Sequence, residues 1–291
     1  MASPAEVQVL PMSLAEHRPN GTPISPGVRN RILILDVERL DGITTQHWWD
    51  RADLKQRYIH HETVTREPRT TVVCAKWYDQ PDVMRYAEWD KGGRHRLLKA
   101  AHRLLSEADI VVGHNLDNSD IPWLKGDLFV PRIGHRYKPS FKPIPPFKTV
   151  DTLKVLRTQF KSGMPFKSLD AACKIAGIPS KTDHYDRHAM ERAVAGSEDD
   201  QRRLVEYCAG DVVATQYLYD FLRPHIKNHP ALYVDGQSRL DTCRVCGRET
   251  KPIAKRYAAD VFTYTMQTCV ECGWYGRISL EPTRMSIVRG V

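Results

Sequence analysis

The sequence predicts an α/β layered domain followed by a small cysteine-bearing module. Three observations carry this prediction. Short apolar runs alternate with segments whose apolar residues recur at helical spacing. The composition changes at 228–240, "NHPALYVDGQSRL". Beyond it, four of the seven cysteines fall in two C-x2-C pairs. A chain of 291 residues is long enough for one large domain with a sizeable core plus a small one.

In chain order, residues 1–28 carry five prolines and no strong periodicity, and are expected to form a flexible tail without a catalytic role. The main domain is expected over 29–228. "RILILD" (31–36) reads as a strand. Residues 43–70 are polar and irregular, a loop with a short helix; Trp48, Trp49, His60 and His61 within it read as packing or substrate-channel residues. "TVVCAKWYD" (71–79) alternates and reads as a second strand. "HRLLKAAHRLLSEAD" (95–109) places Leu97, Leu98, Ala101, Leu104 and Leu105 on one helical face. "IVVGHN" (110–115) is a short buried strand running into a loop. Residues 149–160 look helical after their start, 166–178 form a helix closed by Gly177, and 197–226 form one long helix or two, capped by Ser197. The module is expected over 236–291.

The formal charge is +8 and the pI about 9.1, which suits a polyanionic partner. From residue 222 to the end, 11 Lys+Arg stand against 6 Asp+Glu. A second basic concentration, "PRIGHRYKPSFKPIPPFK" (131–148), interleaves Arg136, Lys138 and Lys142 with Tyr137 and Phe141. Such a stretch can track a single strand, cation to phosphate and ring to base. The competing reading is a Pro-stiffened loop whose aromatics pack on the domain. No run approaches the roughly 18 apolar residues of a membrane span, and no leader pattern begins the chain. Cys74, Cys173 and Cys208 sit in apolar or helical contexts as ordinary buried thiols, so a reducing, cytoplasmic location is expected.

The acids hold the chemistry. Asp36 and Glu38 follow four apolar residues at the end of the first strand, and period-two alternation sets them side by side. Two like charges held that close cost energy unless something positive sits between them. In "VVGHNLDNSDIPWL" (111–124) Asp120 opens a helix beside a strand end, with Asp117 its rival on spacing alone. Tyr207 and Asp211 in "EYCAGDVVATQYL" are four apart and share one helix face. Converged, Asp36, Glu38, Asp120 and Asp211 would repel strongly without metal. A pair of Mg²⁺ or Mn²⁺ ions would be well served by them and could clamp a phosphodiester.

"LILDVER", "GHNLDNSDIPWL" and "YCAGDV" resemble the three motifs of the DEDD 3′–5′ exonucleases in their tyrosine subtype (DEDDy, DnaQ-like). "EPRTTVVCAKWYD", "DTLKVLRTQF", "KSLDAACKIAGIPSKTDH" and "LRPHIKNHPALYVDG" extend the resemblance to phage-encoded exonucleases with a cysteine-pair module, over nearly all of 31–280. The resemblance implies a ribonuclease H-like fold with a central mixed sheet and a two-metal nuclease. Asp36, Glu38, Asp120 and Asp211 match its metal-binding acids, and Tyr207 the residue that orients the attacking water. Asn115, Arg136, Tyr137, Lys138, Phe141 and Lys142 are the nucleic-acid contacts expected. Two positions depart from the pattern: Ser119 stands where Phe is usual, and Arg39 follows Glu38 where Thr is common. The implied partners are single-stranded or 3′-ended nucleic acid, DNA before RNA, and a DNA polymerase or other replication protein. A catalytically silent adaptor, a ribonuclease and a structure-specific endonuclease are the alternatives.

The pairs Cys243–Cys246 and Cys269–Cys272 are separated by 22 residues and each is followed by glycine. Two such knuckles complete a tetrahedral thiolate site for one structural Zn²⁺, as in a zinc ribbon. A module this short depends on that metal to fold.

Overall fold

The computed structural model describes residues 21–45, 59–129, 141–160, 168–179, 188–236, 241–258 and 262–282. The strands of the main domain are β1 (Ile32–Leu40), β2 (Ile43–Thr44), β3 (Val64–Arg66), β4 (Arg69–Trp77), β5 (Met84–Ala87), β6 (Ile110–Gly113) and β7 (Lys148–Asp151). The helices are α1 (Gly93–Glu107), α2 (Asp120–Phe129), α3 (Thr152–Gln159), α4 (Leu169–Ile175), α5 (Ala189–Val194) and α6 (Glu198–Leu222). A mixed five-stranded sheet runs in the order β5-β4-β1-β6-β7. β5, β4 and β1 are antiparallel, whereas β1, β6 and β7 are parallel. β2 and β3 form a separate two-stranded ladder within the segment expected to be loop.

The period of two in β1 divides the core. Leu33, Leu35 and Val37 point to one side and pack with Leu97, Leu104 and Leu124 of α1 and α2. Ile32 and Ile34 point to the other and pack with Leu156 of α3, Cys173 of α4 and Val212 of α6. The sheet is therefore covered on both faces, which explains the unbroken apolar runs of β1 and β6.

Helix ends follow local chemistry. Ser168 and Ser197 cap α4 and α6, each hydroxyl accepting from the amide three residues on. Gly177 takes φ 67° after α4, and Ile178 N donates to the Cys173 carbonyl at 2.8 Å, a left-handed closure. Residues 198–222 form a single 25-residue helix.

The described part of the segment expected as a tail, 21–28, is packed. Ile24 is buried and its amide donates to the Tyr78 hydroxyl at 3.0 Å. Val28 bridges Val234. The reason lies in Arg223, fully buried beyond α6, which donates to Asp220 Oδ1 at 2.6 Å and to the Thr22 carbonyl. A buried guanidinium requires such acceptors.

The remaining strands, β8 (Thr250–Ala258), β9 (Phe262–Cys269) and β10 (Tyr275–Pro282), form an antiparallel sheet in the order β10-β9-β8. Among the described residues no helix is long and apolar enough to cross a membrane.

Candidate metal centres

Asp36 and Glu38 continue the Ile32–Ile34 side of β1 past the apolar run, so both face α6. The register pairs Asp36 with Cys74 and Glu38 with Val72, and a bulge follows between Glu38 and Arg39. Cys208 Sγ lies 3.4 Å from the Asp36 carbonyl oxygen and ties α6 to the strand end. One helical step on, Asp211 enters the same space. Carboxylate oxygens of Asp36, Glu38 and Asp211 all lie within 4.8 Å of one another, and all three residues are half-buried. Three partly desolvated carboxylates at that spacing attract a cation, and an all-oxygen donor set fits a hard divalent ion.

Tyr207 is one turn before Asp211 and half-buried. Burial, then the charges of Asp211, Glu38 and Asp36, push its phenol above the usual tyrosine range. The hydroxyl thus stays protonated beside the acids.

Asp120, first residue of α2, is not one of the three. It is buried just behind them: Oδ1 accepts from the Val37 amide at 3.1 Å, and Oδ2 lies 2.7 Å from Ser119 Oγ. Burial pushes its carboxyl up to about 6, against the hydrogen bonds from Ser119 and Val37. Asp117, the rival on spacing, instead pairs with Lys154 Nζ at 3.1 Å on the surface. Asp151, unremarked in the sequence, accepts from the amides of Asn115, Asp117 and Lys154, and so holds the loop that delivers Asp120. Asn115 stands half-buried in that loop at φ 68°.

Of the expected nucleic-acid contacts, Arg136, Tyr137 and Lys138 lie outside the described residues, as do Trp48 and Trp49. Phe141 stacks on His102 and His95 of α1, at 5.3 and 6.1 Å between ring centres, and packs on the core. Lys142 is exposed, its carbonyl 2.8 Å from His102 Nε2.

Sequence reading missed a cavity of about 390 Å³ adjoining Glu38, lined among others by Arg39, Arg66, Trp123, His188 and Met190. Arg39 donates to Asp127 and Thr70, both at 3.2 Å, and its guanidinium lies 5.0 Å over Trp123. The only sequence signal was that Arg39 follows Glu38.

The second centre lies in the C-terminal module. Cys243 Sγ is 3.8 Å from Cys272 Sγ, and Cys246 Sγ is 3.5 Å from Cys269 Sγ. A disulfide would bring sulfurs to about 2.05 Å. A tetrahedron of thiolates at Zn–S distances has an edge of about 3.8 Å. The four sulfurs therefore lie close enough to hold one metal ion. The two knuckles fold alike: Gly247 N donates to Cys243 O and Gly273 N to Cys269 O, with φ 76° and 72°. A Cβ on Gly247 would approach Val28 Cγ2 to 2.5 Å, so glycine is required twice over.

No protein-family model matches the chain, and no curated protein matches it. Among solved structures, it is similar to the family B DNA polymerase from the hyperthermophilic archaeon Pyrobaculum calidifontis, with 19% identity and a TM-score of 0.46. The match covers 67% of this chain and 25% of the polymerase, so the chain spans about a quarter of that protein's length.

Proposed function

We propose that this chain is a divalent-metal-dependent 3′–5′ exonuclease, a ribonuclease H-like domain of the DEDDy type with a C-terminal zinc ribbon. The observation that carries the reading is the convergence of Asp36, Glu38 and Asp211, drawn from β1 and α6, within 4.8 Å. The sheet order, antiparallel on one side of β1 and parallel on the other, is compatible with that fold.

In this reading Asp36, Glu38 and Asp211 hold Mg²⁺ or Mn²⁺, and Asp120 joins them once ionised. Such ions, when bound, stabilise charge developing on the phosphate and lower the pKa of bound water. Tyr207, kept protonated by its acidic surroundings, positions the attacking water by hydrogen bond rather than taking its proton. The four cysteines leave no open position, so their zinc is structural. The substrate is a 3′-ended or single DNA strand. The setting is phage DNA replication, proofreading or end processing, in the host-cell cytoplasm beside a polymerase or other replication protein.

A 3′-labelled single strand incubated with Mg²⁺ or Mn²⁺ tests this. The protein is expected to release nucleotides from the 3′ end, Asp36→Ala to release none, and a blocked 3′ end to stop the reaction. Binding without degradation by either metal leaves an adaptor, and cleavage past a 3′ block an endonuclease; both overturn the proposal.

A further inference from the structure

The outer face of the C-terminal sheet lies apart from the carboxylate cluster. Along β9, Gln267 and Cys269 are buried while Tyr264, Met266 and Thr268 are half-exposed, so the strand presents one face to the cysteine cluster and the other to solvent. The register puts Tyr257 of β8 opposite Tyr264, Arg277 of β10 opposite Met266, and Lys251 and Tyr275 on either side of Thr268. Tyr257, Tyr264, Tyr275, Lys251 and Arg277 therefore share the solvent face.

Tyr257 and Tyr275 are 49% and 64% exposed, so both rings are open to solvent. Arg277 lies 4.7 Å over Tyr264 and 5.6 Å over Tyr257, whose rings are 6.1 Å apart. Arg277 is exposed, and its guanidinium lies over the two rings rather than against a carboxylate among the described residues. β8 and β9 contain three cations and no acid. Tyr275 is separated from the Tyr257–Tyr264 pair by four residues of strand, about 13 Å.

We infer that this face is a binding platform for single-stranded DNA, with bases stacked on the tyrosines and phosphates held by Arg277 and Lys251. Rings need unstacked bases, which a duplex hides, and the cations match a phosphate chain. The platform would hold a strand independently of hydrolysis at the carboxylate cluster.

The test is fluorescence anisotropy with labelled oligo-dT and the full chain carrying Asp36→Asn to prevent degradation. Tyr257→Ala with Tyr275→Ala is expected to raise Kd by about tenfold or more, and the Phe versions to leave it unchanged. Arg277→Ala is expected to reduce the slope of log K against log salt by about 0.7. Retained cysteine-bound metal shows that a variant is folded. If the alanine pair loses its metal, Arg277→Glu with Lys251→Glu takes its place, again with weakened binding expected. A folded variant that binds oligo-dT like its parent overturns the proposal, as does equal competition by duplex. Binding of oligo-U without oligo-dT overturns the DNA assignment. Hydrolysis of the p-nitrophenyl ester of thymidine 5′-monophosphate by the unblocked protein reads the carboxylate cluster alone, so failure there leaves the binding result to stand or fall by itself.

Discussion

The amide of Val37 donates to Asp120 Oδ1 at 3.1 Å. Val37 separates Asp36 from Glu38, so this one bond fixes the start of α2 against the peptide between the two strand-end carboxylates. The other Asp120 oxygen and the Asn115 carbonyl lie 2.7 and 2.6 Å from Ser119 Oγ. A hydroxyl has one proton to give and here meets two acceptors. With Asp120 ionised, the Ser119 hydroxyl donates to its carboxylate; when Asp120 takes up a proton it can donate instead, freeing the Ser119 proton for the Asn115 carbonyl.

Asp120 thus makes metal-free stability depend on pH. Burial raises its carboxyl to about 6 in the folded protein, against about 4 unfolded. Folding then binds the proton more tightly. The stabilisation is fully present below about pH 4 and is lost as pH rises through about 6. A shift of this size corresponds to about 3 kcal/mol. Asp120→Asn, neutral at every pH, is expected to flatten that part of the profile. Thermal unfolding of metal-free protein across this range, wild type against variant, measures it; an unchanged slope refutes it.

Asp211→Asn should divide stability from activity. Removing one of three crowded charges relieves repulsion of about 1–4 kcal/mol at this spacing. Without divalent cations the variant is expected to melt above wild type by about 3 °C per kcal/mol. With Mg²⁺ it should lose hydrolysis by more than the 10–100-fold seen on losing an outer-shell partner of a metal. Calorimetry with and without the cation separates the two effects. A variant that melts below wild type in both conditions would make Asp211 a structural residue.

Tyr207→Phe isolates the hydroxyl. Burial and the neighbouring acids keep the phenol protonated, so in the proposed reaction it would act by donating a hydrogen bond. The variant is expected to lose about 10²-fold in kcat, with Mg²⁺ affinity unchanged. Because wild-type Tyr207 does not ionise between pH 6 and about 9, the two pH–rate profiles should be parallel. Profiles that diverge at high pH would make Tyr207 a base.

What was legible in the sequence was local. Asp36 and Glu38 ended a run with a period of two, Tyr207 and Asp211 shared a helix face, and the cysteine pairs announced their own spacing. Their meeting was not legible from any one segment, since 175 residues separate Asp36 from Asp211. β1 runs to Leu40, past its apolar stretch, because pairing with β4 resumes after the Glu38–Arg39 bulge. β5 has four residues and α5 six, too short for a periodic signal. The stacking of Arg39 on Trp123 joins two elements that nothing in sequence links. The sequence left Phe141 open between a ring that stacks on a base and one that packs on the domain; in the structure it stacks against His95 and His102 of α1.

Loss of metal from the cysteine cluster is expected to loosen the module and the far end of α6, and to leave the carboxylate cluster intact. Three contacts carry the coupling. Ser25 N donates to the Cys246 carbonyl at 2.8 Å, and Arg244 donates to the His229 carbonyl at 3.2 Å. His229 Nε2 meets the Tyr219 hydroxyl at 2.6 Å, and burial holds the imidazole neutral, its pKa down at about 3. Its Nδ1 donates to the Pro230 carbonyl at 2.7 Å, leaving Nε2 to accept from Tyr219. Tyr219 stands eight residues beyond Asp211 on α6, about 12 Å along the axis. In Cys272→Ser, the bound-metal content should fall, and the module should unfold first, since binding of about 10–16 kcal/mol, the range for a structural zinc, would supply its folding energy. Amide exchange should speed up at Leu232 and Tyr219 and stay unchanged near Asp211. The affinity for Mn²⁺ at the carboxylates should remain within about threefold of wild type, since α6 is held there by Cys208 and the sheet rather than by the module. Unaltered exchange at Tyr219 after metal loss would mean that the module and the helix are energetically separate.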